Sequence, residues 1–114
     1  MADDDLLGTF EQLTLLALLR LGDDAYGMLV RREIEERTGR STSLGAVYAT
    51  LDRLETKGYV SSRSEAGGAE RGGRAKRFFR VEPPGLRALQ QTARAVERMR
   101  EGLEADGRPL GAIA

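Results

Sequence analysis

A glycine-rich stretch, Ser64–Arg74 (SEAGGAERGGR), constrains the fold of this chain more than any other part of its sequence. It separates two short segments that are typical of extended chain, Tyr59–Arg63 and Ala75–Val81, and its four glycines are typical of a hairpin tip. In the second segment, Phe79 and Val81 alternate with their neighbours as in a strand with one buried face. The sequence therefore predicts a two-stranded hairpin, and the remaining segments have to supply most of the core.

Hydrophobic spacing and capping residues predict two helices at the start of the chain. The first covers residues 8–21, with Thr9 as its N-cap, and ends at Gly22. Leucines occupy almost every side of it, so it needs cover on more than one face, and in a chain of 114 residues a second subunit could provide part of that cover. The second helix runs from residue 25 or 26 to residue 38, and Gly39 follows its last turn.

A third helix is predicted over Leu44–Lys57, after the turn GRSTS and before Gly58. Its apolar side chains, among them Val47, Leu51 and Leu54, form one stripe that we expect to be buried. The side chains on the opposite face are small or polar near the N-terminal end of the helix, so the helix could approach another surface closely there. That face holds Gly45, Ala46, Ala49, Thr50, Arg53 and Thr56.

A last helix is predicted over Gly85–Leu103, after the chain-breaking sequence Glu82-Pro83-Pro84. Apolar residues three and four apart form a seam along it. The seam spans about two and a half heptads, which is too short for an independent coiled coil.

Cysteine and histidine are both absent. Their absence excludes disulfide scaffolds, thiol nucleophiles, Ser-His-Asp triads and metal sites with Cys or His ligands. We recognise no nucleophile–base pair and expect neither an enzyme nor a bound cofactor or metal. No apolar run approaches the ~18 residues of a membrane span, and the acidic N-terminus lacks the basic start of a secretory signal. We therefore expect a soluble cytoplasmic protein.

Charge is distributed unevenly, although 18 basic side chains balance 18 acidic ones. Residues 59–81 carry six basic side chains against two acidic ones, so an anionic partner could bind there. The basic residues are Arg63, Arg71, Arg74, Lys76, Arg77 and Arg80.

The order of three helices, a hairpin and a further helix is that of a winged helix-turn-helix, a mainly α fold with a small β-hairpin. We expect a disordered acidic tail over residues 1–6, the winged DNA-binding domain over 7–82, a C-terminal helix over 83–104 and a flexible tail over 105–114. The third helix would enter the major groove of DNA, and the hairpin would lie on the backbone or in the minor groove. The expected contacts are Thr42, Ser43, Ala46, Ala49, Thr50, Arg53 and Lys57 on the helix side and Arg71, Arg74 and Lys76 on the hairpin.

Three stretches resemble the PadR family of transcriptional regulators, and the resemblance covers about residues 8–103. They are Ala25-Tyr26-Gly27, SLGAVYATLDRLETKGYV (Ser43–Val60) and GRAKRFFRVEPPGLRAL (Gly73–Leu89), in the family's order and spacing. The resemblance implies a homodimeric repressor of the short form, with one C-terminal helix, that binds an operator in double-stranded DNA. It matches the DNA-reading helix at Ser43, Gly45, Ala46, Tyr48 and Arg53 and the hairpin at Arg74 and Lys76.

The same resemblance implies that the first and last helices form the dimer interface, which makes the last one a dimerisation helix. A small apolar effector between the first helix and the partner's last helix is compatible with this arrangement. Trp is absent, however, so the aromatic drug sandwich of some multidrug-sensing relatives cannot form in that way. The interface would comprise Leu13, Leu16, Leu86, Leu89, Ala93, Val96 and Leu103.

Simpler interpretations remain open for several of these residues. Tyr48 lies on the buried stripe and is equally well explained as a core residue. Arg53 and Lys57 are also explained as a solvated helix face, the basic hairpin as a solvated loop, and the seam of the last helix as a brace within its own chain. At the level of function, the alternative is a winged-helix module that binds a protein and not DNA.

Overall fold

The computed structural model of the chain describes residues 6–65 and 76–103. Its elements form the predicted mainly α arrangement with one small hairpin, in which two strands pair antiparallel. In chain order they are α1 (Thr9–Leu21), a 3₁₀ turn (Gly22–Asp24), α2 (Gly27–Thr38), α3 (Leu44–Thr56), β1 (Val60–Glu65), β2 (Lys76–Val81) and α4 (Pro83–Arg100).

The ends of α1 and the end of α2 follow from their glycines. Gly22 and Gly39 terminate these helices with φ of 63° and 71°, a conformation that glycine adopts without steric cost. The predicted N-cap of α1 at Thr9 is wrong, because Thr9 is already helical and Gly8 is the cap. The Glu11 carboxylate accepts a hydrogen bond from the Gly8 N–H at 3.0 Å and so satisfies a donor at the start of the helix.

Two helices begin at a different residue from the predicted one. Helix α2 begins at Gly27, because the residue before it, Tyr26, is extended and forms an antiparallel bridge with Phe78 of β2. Helix α4 begins at Pro83, two residues before the predicted Gly85. A proline is favourable in the first turn because the N–H that it lacks would have no partner within the helix.

The hairpin is bound to the body of the protein along β2. Val60 pairs with Val81 at its base and Glu65 with Lys76 at its far end, so strand β1 includes the first two residues of the predicted tip. Residues 66–75, which contain the rest of that tip, lie outside the described residues. Simple alternation places Phe78 and Phe79 on opposite faces, yet both are buried. Phe79 enters the core, and the ring of Phe78 meets the ring of Tyr26 edge to face at 5.5 Å.

The core is aliphatic around Phe79, and α1, α2, α3, the hairpin and α4 all contribute to it. The predicted stripe of α3 is buried in it, since Val47, Leu51 and Leu54 are fully inaccessible to solvent. Each Å² of apolar surface that is buried stabilises the fold by about 25 cal/mol, and this keeps the apolar side of α3 turned towards the core. The opposite side of α3 is thereby fixed outward.

Helix α4 contacts its own chain through a face of small residues and not through its leucine seam. Gly85, Ala88 and Thr92 are buried, and the Thr92 hydroxyl accepts a hydrogen bond from the Leu7 N–H at 3.1 Å. On the seam, Leu86, Ala93 and Val96 are exposed. An intramolecular brace therefore does not describe these three positions, whereas Leu89 and Leu103 are half-buried. Within the two described ranges, no helix has the length and apolar character needed to cross a membrane.

Candidate nucleic-acid interface

The N-terminal half of α3 presents a surface that is nearly free of large side chains. Gly45, Ala46 and Ala49 are all exposed on it. Ser43 is the N-cap, and its hydroxyl oxygen accepts a hydrogen bond from the Ala46 N–H at 3.0 Å. A serine in this role still has its own O–H to donate to an acceptor outside the helix. This end of α3 can therefore approach an anionic or hydrogen-bonding surface closely.

The turn before α3 is held by a carboxylate of α2. The Glu35 side chain accepts the Thr42 N–H at 2.8 Å and also pairs with Arg31 at 3.5 Å. The hydrogen bond from Thr42, with help from Arg31 and against the effect of burial, holds the pKa of Glu35 below its ordinary value. Glu35 thereby connects α2 to the turn that precedes α3.

Thr50 does not belong to the exposed face, and the prediction that its hydroxyl reaches DNA is wrong for this structure. Its side chain is only 2% exposed, because it follows Val47 by one helical turn and precedes Leu54 by another. Its hydroxyl accepts a hydrogen bond from the Arg53 guanidinium at 3.3 Å. Thr50 is thereby part of the buried side of α3.

Tyr48 is half-buried and packs against the first residue of α2. A Cβ added to Gly27 would overlap the ring of Tyr48, so the two helices meet here only because residue 27 lacks a side chain. This contact supports the interpretation of Tyr48 as a packing residue. It also explains why the sequence Ala25-Tyr26-Gly27 has to open α2 with glycine.

The two cations near the C-terminal end of α3 have a partner in α1. Lys57 approaches the Glu11 carboxylate at 3.3 Å and Arg53 approaches it at 3.9 Å, and the Glu11 side chain is only 12% exposed. Burial acts to raise the pKa of Glu11, but the Gly8 N–H and the charges of Lys57 and Arg53 outweigh it and lower that pKa. Neither cation is simply a solvated group, and both help to fasten α3 to α1.

The outer face of the hairpin combines aromatic rings with cations. The Lys76 ammonium lies 4.0 Å from the centre of the Tyr26 ring, and the Arg63 guanidinium lies 4.9 Å from that of Phe78. Arg63 also donates a hydrogen bond to the Asp23 carbonyl at 3.3 Å. Lys76 therefore lies beside the start of α2, while the other two predicted hairpin contacts, Arg71 and Arg74, lie outside the described residues.

The inner face of the hairpin carries Arg77, which sequence reasoning counted only as one more cation. Its guanidinium pairs with Asp52 at 3.1 Å and with Glu55, both on α3. Burial alone would lower the pKa of Arg77, but hydrogen bonds and ion pairs with these two carboxylates outweigh burial and raise it. The partners lie 22 and 25 residues away, so no local spacing in the sequence reveals the contact.

Apolar surface remains exposed on α1. Leu16 and Leu19 of α1 are each almost half exposed. They line an open groove of about 630 Å³ between α1 and α2, whose other lining residues include Leu13 and Ile34. Arg20 pairs with Glu33 across this groove at 3.2 Å.

The order α2, turn, α3 and hairpin defines a winged helix-turn-helix protein. The family model described as "Transcriptional regulator PadR-like family" matches residues 15–91, and this chain belongs to that family. The transcriptional regulator Rv3488 of Mycobacterium tuberculosis is 34% identical over 77 residues, which are 68% of this chain and 67% of that protein. The chain is therefore a PadR-family transcriptional regulator, and the expectation that it is not an enzyme is confirmed by what its relatives are.

Solved structures share the fold. A PadR-like transcriptional regulator from Bacillus cereus superposes with a TM-score of 0.68 at 15% identity, over 90% of this chain and 94% of the other. The ORC1 protein of Aeropyrum pernix, solved in complex with DNA, superposes with a TM-score of 0.63 at 22% identity, over 82% of this chain and 26% of that one. The predicted family and fold class are both confirmed.

Proposed function

We propose that this regulator is a dimeric, sequence-specific repressor that binds operator DNA with α3 in the major groove. The observation that carries the proposal is the bare surface at Gly45, Ala46 and Ala49, which the buried stripe of α3 holds outward. An α-helix fits the major groove, and alanine side chains leave room for its backbone or contact a thymine methyl group. The ORC1 protein of Aeropyrum pernix, which shares the fold over 26% of its chain, was solved in complex with DNA, and this accords with DNA binding.

The remaining contacts would be distributed between bases and backbone. Thr42 and Ser43 lie at the N-terminal end of α3, where their hydroxyl groups suit phosphates. Arg53 and Lys57 lie towards the C-terminal end of α3 and would contact the DNA backbone, as would the hydroxyl of Tyr48. The hairpin would place Lys76, Arg71 and Arg74 along the phosphates or in the minor groove.

The exposed apolar surfaces support a homodimer. Val96 and Met99 of α4 are 46% and 80% exposed, and Leu16 and Leu19 of α1 are exposed as well. Apolar patches of this kind are typical of protein interfaces. We infer that the α4 seam of one subunit covers α1 of its partner, with Leu13, Leu16, Leu86, Leu89, Ala93, Val96 and Leu103 in the interface.

A small apolar effector would fit where these surfaces meet, since the groove beside Leu16 is open and lined largely by aliphatic side chains. A thermal-shift screen of apolar and phenolic compounds tests for such a ligand. Stabilisation by some of these compounds would support an effector site, whereas a uniformly flat response would count against it.

DNA binding is tested by fluorescence anisotropy with duplex DNA from the promoter nearest the gene of this protein. Ala46→Glu places a carboxylate against base edges and phosphates, and we expect it to weaken binding more than about a hundredfold, because juxtaposed like charges cost several kcal/mol. Gln91→Glu is the matched control, since Gln91 is exposed on α4 away from the seam. We expect it to bind within about twofold of the wild type.

Two outcomes contradict the proposal. If Ala46→Glu binds like the wild type, α3 is not the element in the groove. If the folded wild-type dimer binds no DNA even at low salt, the fold serves another purpose, and a salt-insensitive complex with a protein partner would then favour the interaction-module alternative. The repressor assignment itself requires that transcription from a reporter promoter falls when the protein is present.

A further inference from the structure

All three nitrogen positions of the Arg77 side chain are used within the protein. Its Nε donates to the Ser62 hydroxyl at 3.3 Å, its Nη1 donates to Asp52 Oδ1 at 3.1 Å, and its Nη2 donates to Glu55 Oε1. The planar guanidinium also lies over the ring of Phe79, with Cζ 4.7 Å from the ring centre. Arg77 is thereby oriented on one side by the core and on the other by α3.

These contacts connect both strands of the hairpin to one turn of α3. Asp52 and Glu55 are three residues apart and therefore neighbours on the surface of the helix. Arg77 reaches them from β2, and Ser62 donates its hydroxyl proton to Glu55 from β1 at 2.8 Å. A two-stranded hairpin is marginally stable by itself, so its direction relative to α3 depends on contacts of this kind.

The ion pairs of Arg77 also affect the electrostatic field that the site presents to DNA. Asp52 is well exposed, close to the bare surface of α3. Arg77 offsets the charge of Asp52 and Glu55, so it adds less to an attractive field for phosphates than its place in the basic stretch suggests. Three of its five N–H donors are already used by acceptors in the protein, which leaves two for any other partner.

We propose that Arg77 is a positioning residue for DNA binding, which holds the hairpin against α3 so that both elements meet the duplex in one fixed arrangement. This inference rests on the proposed function and names the residue that couples its two DNA-contacting elements. Arginine suits the task because its rigid fork bonds several acceptors at once, which a lysine cannot do. A hairpin fixed in advance avoids the entropic cost of ordering it on the DNA.

The test compares binding of Arg77→Gln, Arg77→Lys and Glu55→Gln to the operator, as a function of salt. We expect each variant to bind DNA about fivefold more weakly. This ratio of dissociation constants corresponds to the largest contribution that is usual for a partly exposed ion pair. The decisive variant is Glu55→Gln: it removes a negative charge, which by itself would strengthen binding to DNA, whereas loss of positioning weakens it. Arg80→Gln is the matched control, since it removes an exposed cation from the same strand, and it should bind within about twofold of the wild type.

The salt dependence separates positioning from direct contact. Loss of one phosphate contact lowers the slope of log K against log[salt] by about 1, whereas loss of positioning leaves the slope nearly unchanged. Lys76→Gln serves as the reference for a contact that is lost. Hydroxyl-radical footprinting of Arg77→Gln should show weaker protection under the hairpin and intact protection under α3, a pattern that general destabilisation would not produce.

Several results would overturn the inference while the proposed function stands. They are a Glu55→Gln variant that binds as tightly as the wild type or more tightly, an Arg77→Lys variant with wild-type affinity, and a salt slope for Arg77→Gln that falls by about 1. If Arg77→Gln does not fold, as judged by its thermal unfolding, Glu55→Gln and Arg77→Lys still decide the question. Absence of DNA binding by the wild type would instead reject the proposed function.

Discussion

Substitution of Gly27 by alanine tests how α2 and α3 are packed beneath the proposed DNA-binding surface. Gly27 is the first residue of α2, and a Cβ at this position would overlap the ring of Tyr48. Tyr48 lies on α3 between the buried Val47 and the exposed Ala49, and its ring has to shift to make room for the added methyl group. The substitution therefore affects both stability and the geometry of the site.

The expected effect is the difference between two opposing contributions. Alanine is better than glycine inside a helix by roughly 0.5–1 kcal/mol, although this gain is smaller in the first turn. Insertion of a methyl group into a packed contact costs typically about 1–3 kcal/mol. We expect Gly27→Ala to lower the free energy of unfolding by about 1–2 kcal/mol, which corresponds to a fall in Tm of about 5–10 °C for a domain of this size.

Thermal unfolding monitored by circular dichroism measures the effect, with Gly45→Ala as the matched control. Gly45 also lies in the first turn of its helix, but a Cβ there would meet only the Ser43 hydroxyl oxygen, at 4.0 Å. We expect Gly45→Ala to be as stable as the wild type or slightly more stable. Equal melting temperatures for Gly27→Ala and the wild type would refute the packing argument.

Two further predictions concern the elements around α3. Glu11→Gln keeps an acceptor for the Gly8 N–H but removes the negative charge that Lys57 and Arg53 face. Folding lowers the pKa of Glu11, so its ion pairs stabilise the folded protein above pH 4.5. This stabilisation is lost as the pH falls through the pKa of Glu11 in the folded state. Urea unfolding should show the wild type more stable than Glu11→Gln at pH 7, by less than about 1 kcal/mol, and the two converging in acid; a constant difference would count against the ion pairs. Sedimentation analysis should show the proposed dimer for the wild type and a monomer for Val96→Glu, and a dimer of Val96→Glu would remove Val96 from the interface.

The sequence predicts the helices well where local chemistry decides. The stripe through Val47, Leu51 and Leu54 defines α3, and Gly22 and Gly39 end their helices through a conformation that few other residues adopt. These signals lie within one or two helical turns of the residues they govern. The family resemblance rests on the same local stretches, and the comparison with known proteins confirms it.

The predictions fail where distant contacts decide. Tyr26 is extended and not helical because it bridges to Phe78, and Pro83 opens α4 where the sequence suggests only a break. The hydroxyl of Thr50 led us to predict it on the polar face, yet it lies between Val47 and Leu54 on the buried side of α3. The role of Arg77 depends on carboxylates more than 20 residues away, and no periodicity along the chain could have indicated them.

The most direct test of the central claim uses the absence of cysteine from the chain. Ala46→Cys introduces a unique thiol on the exposed face of α3, and an iron–EDTA label attached there cleaves the DNA within its reach. Gln91→Cys, labelled in the same way on α4, is the control. If α3 lies in the major groove, the label at position 46 cuts each half of the operator at a few adjacent base pairs, and the label at position 91 does not. Equal cleavage from both positions, or none from position 46 in a complex that still forms, would contradict the account.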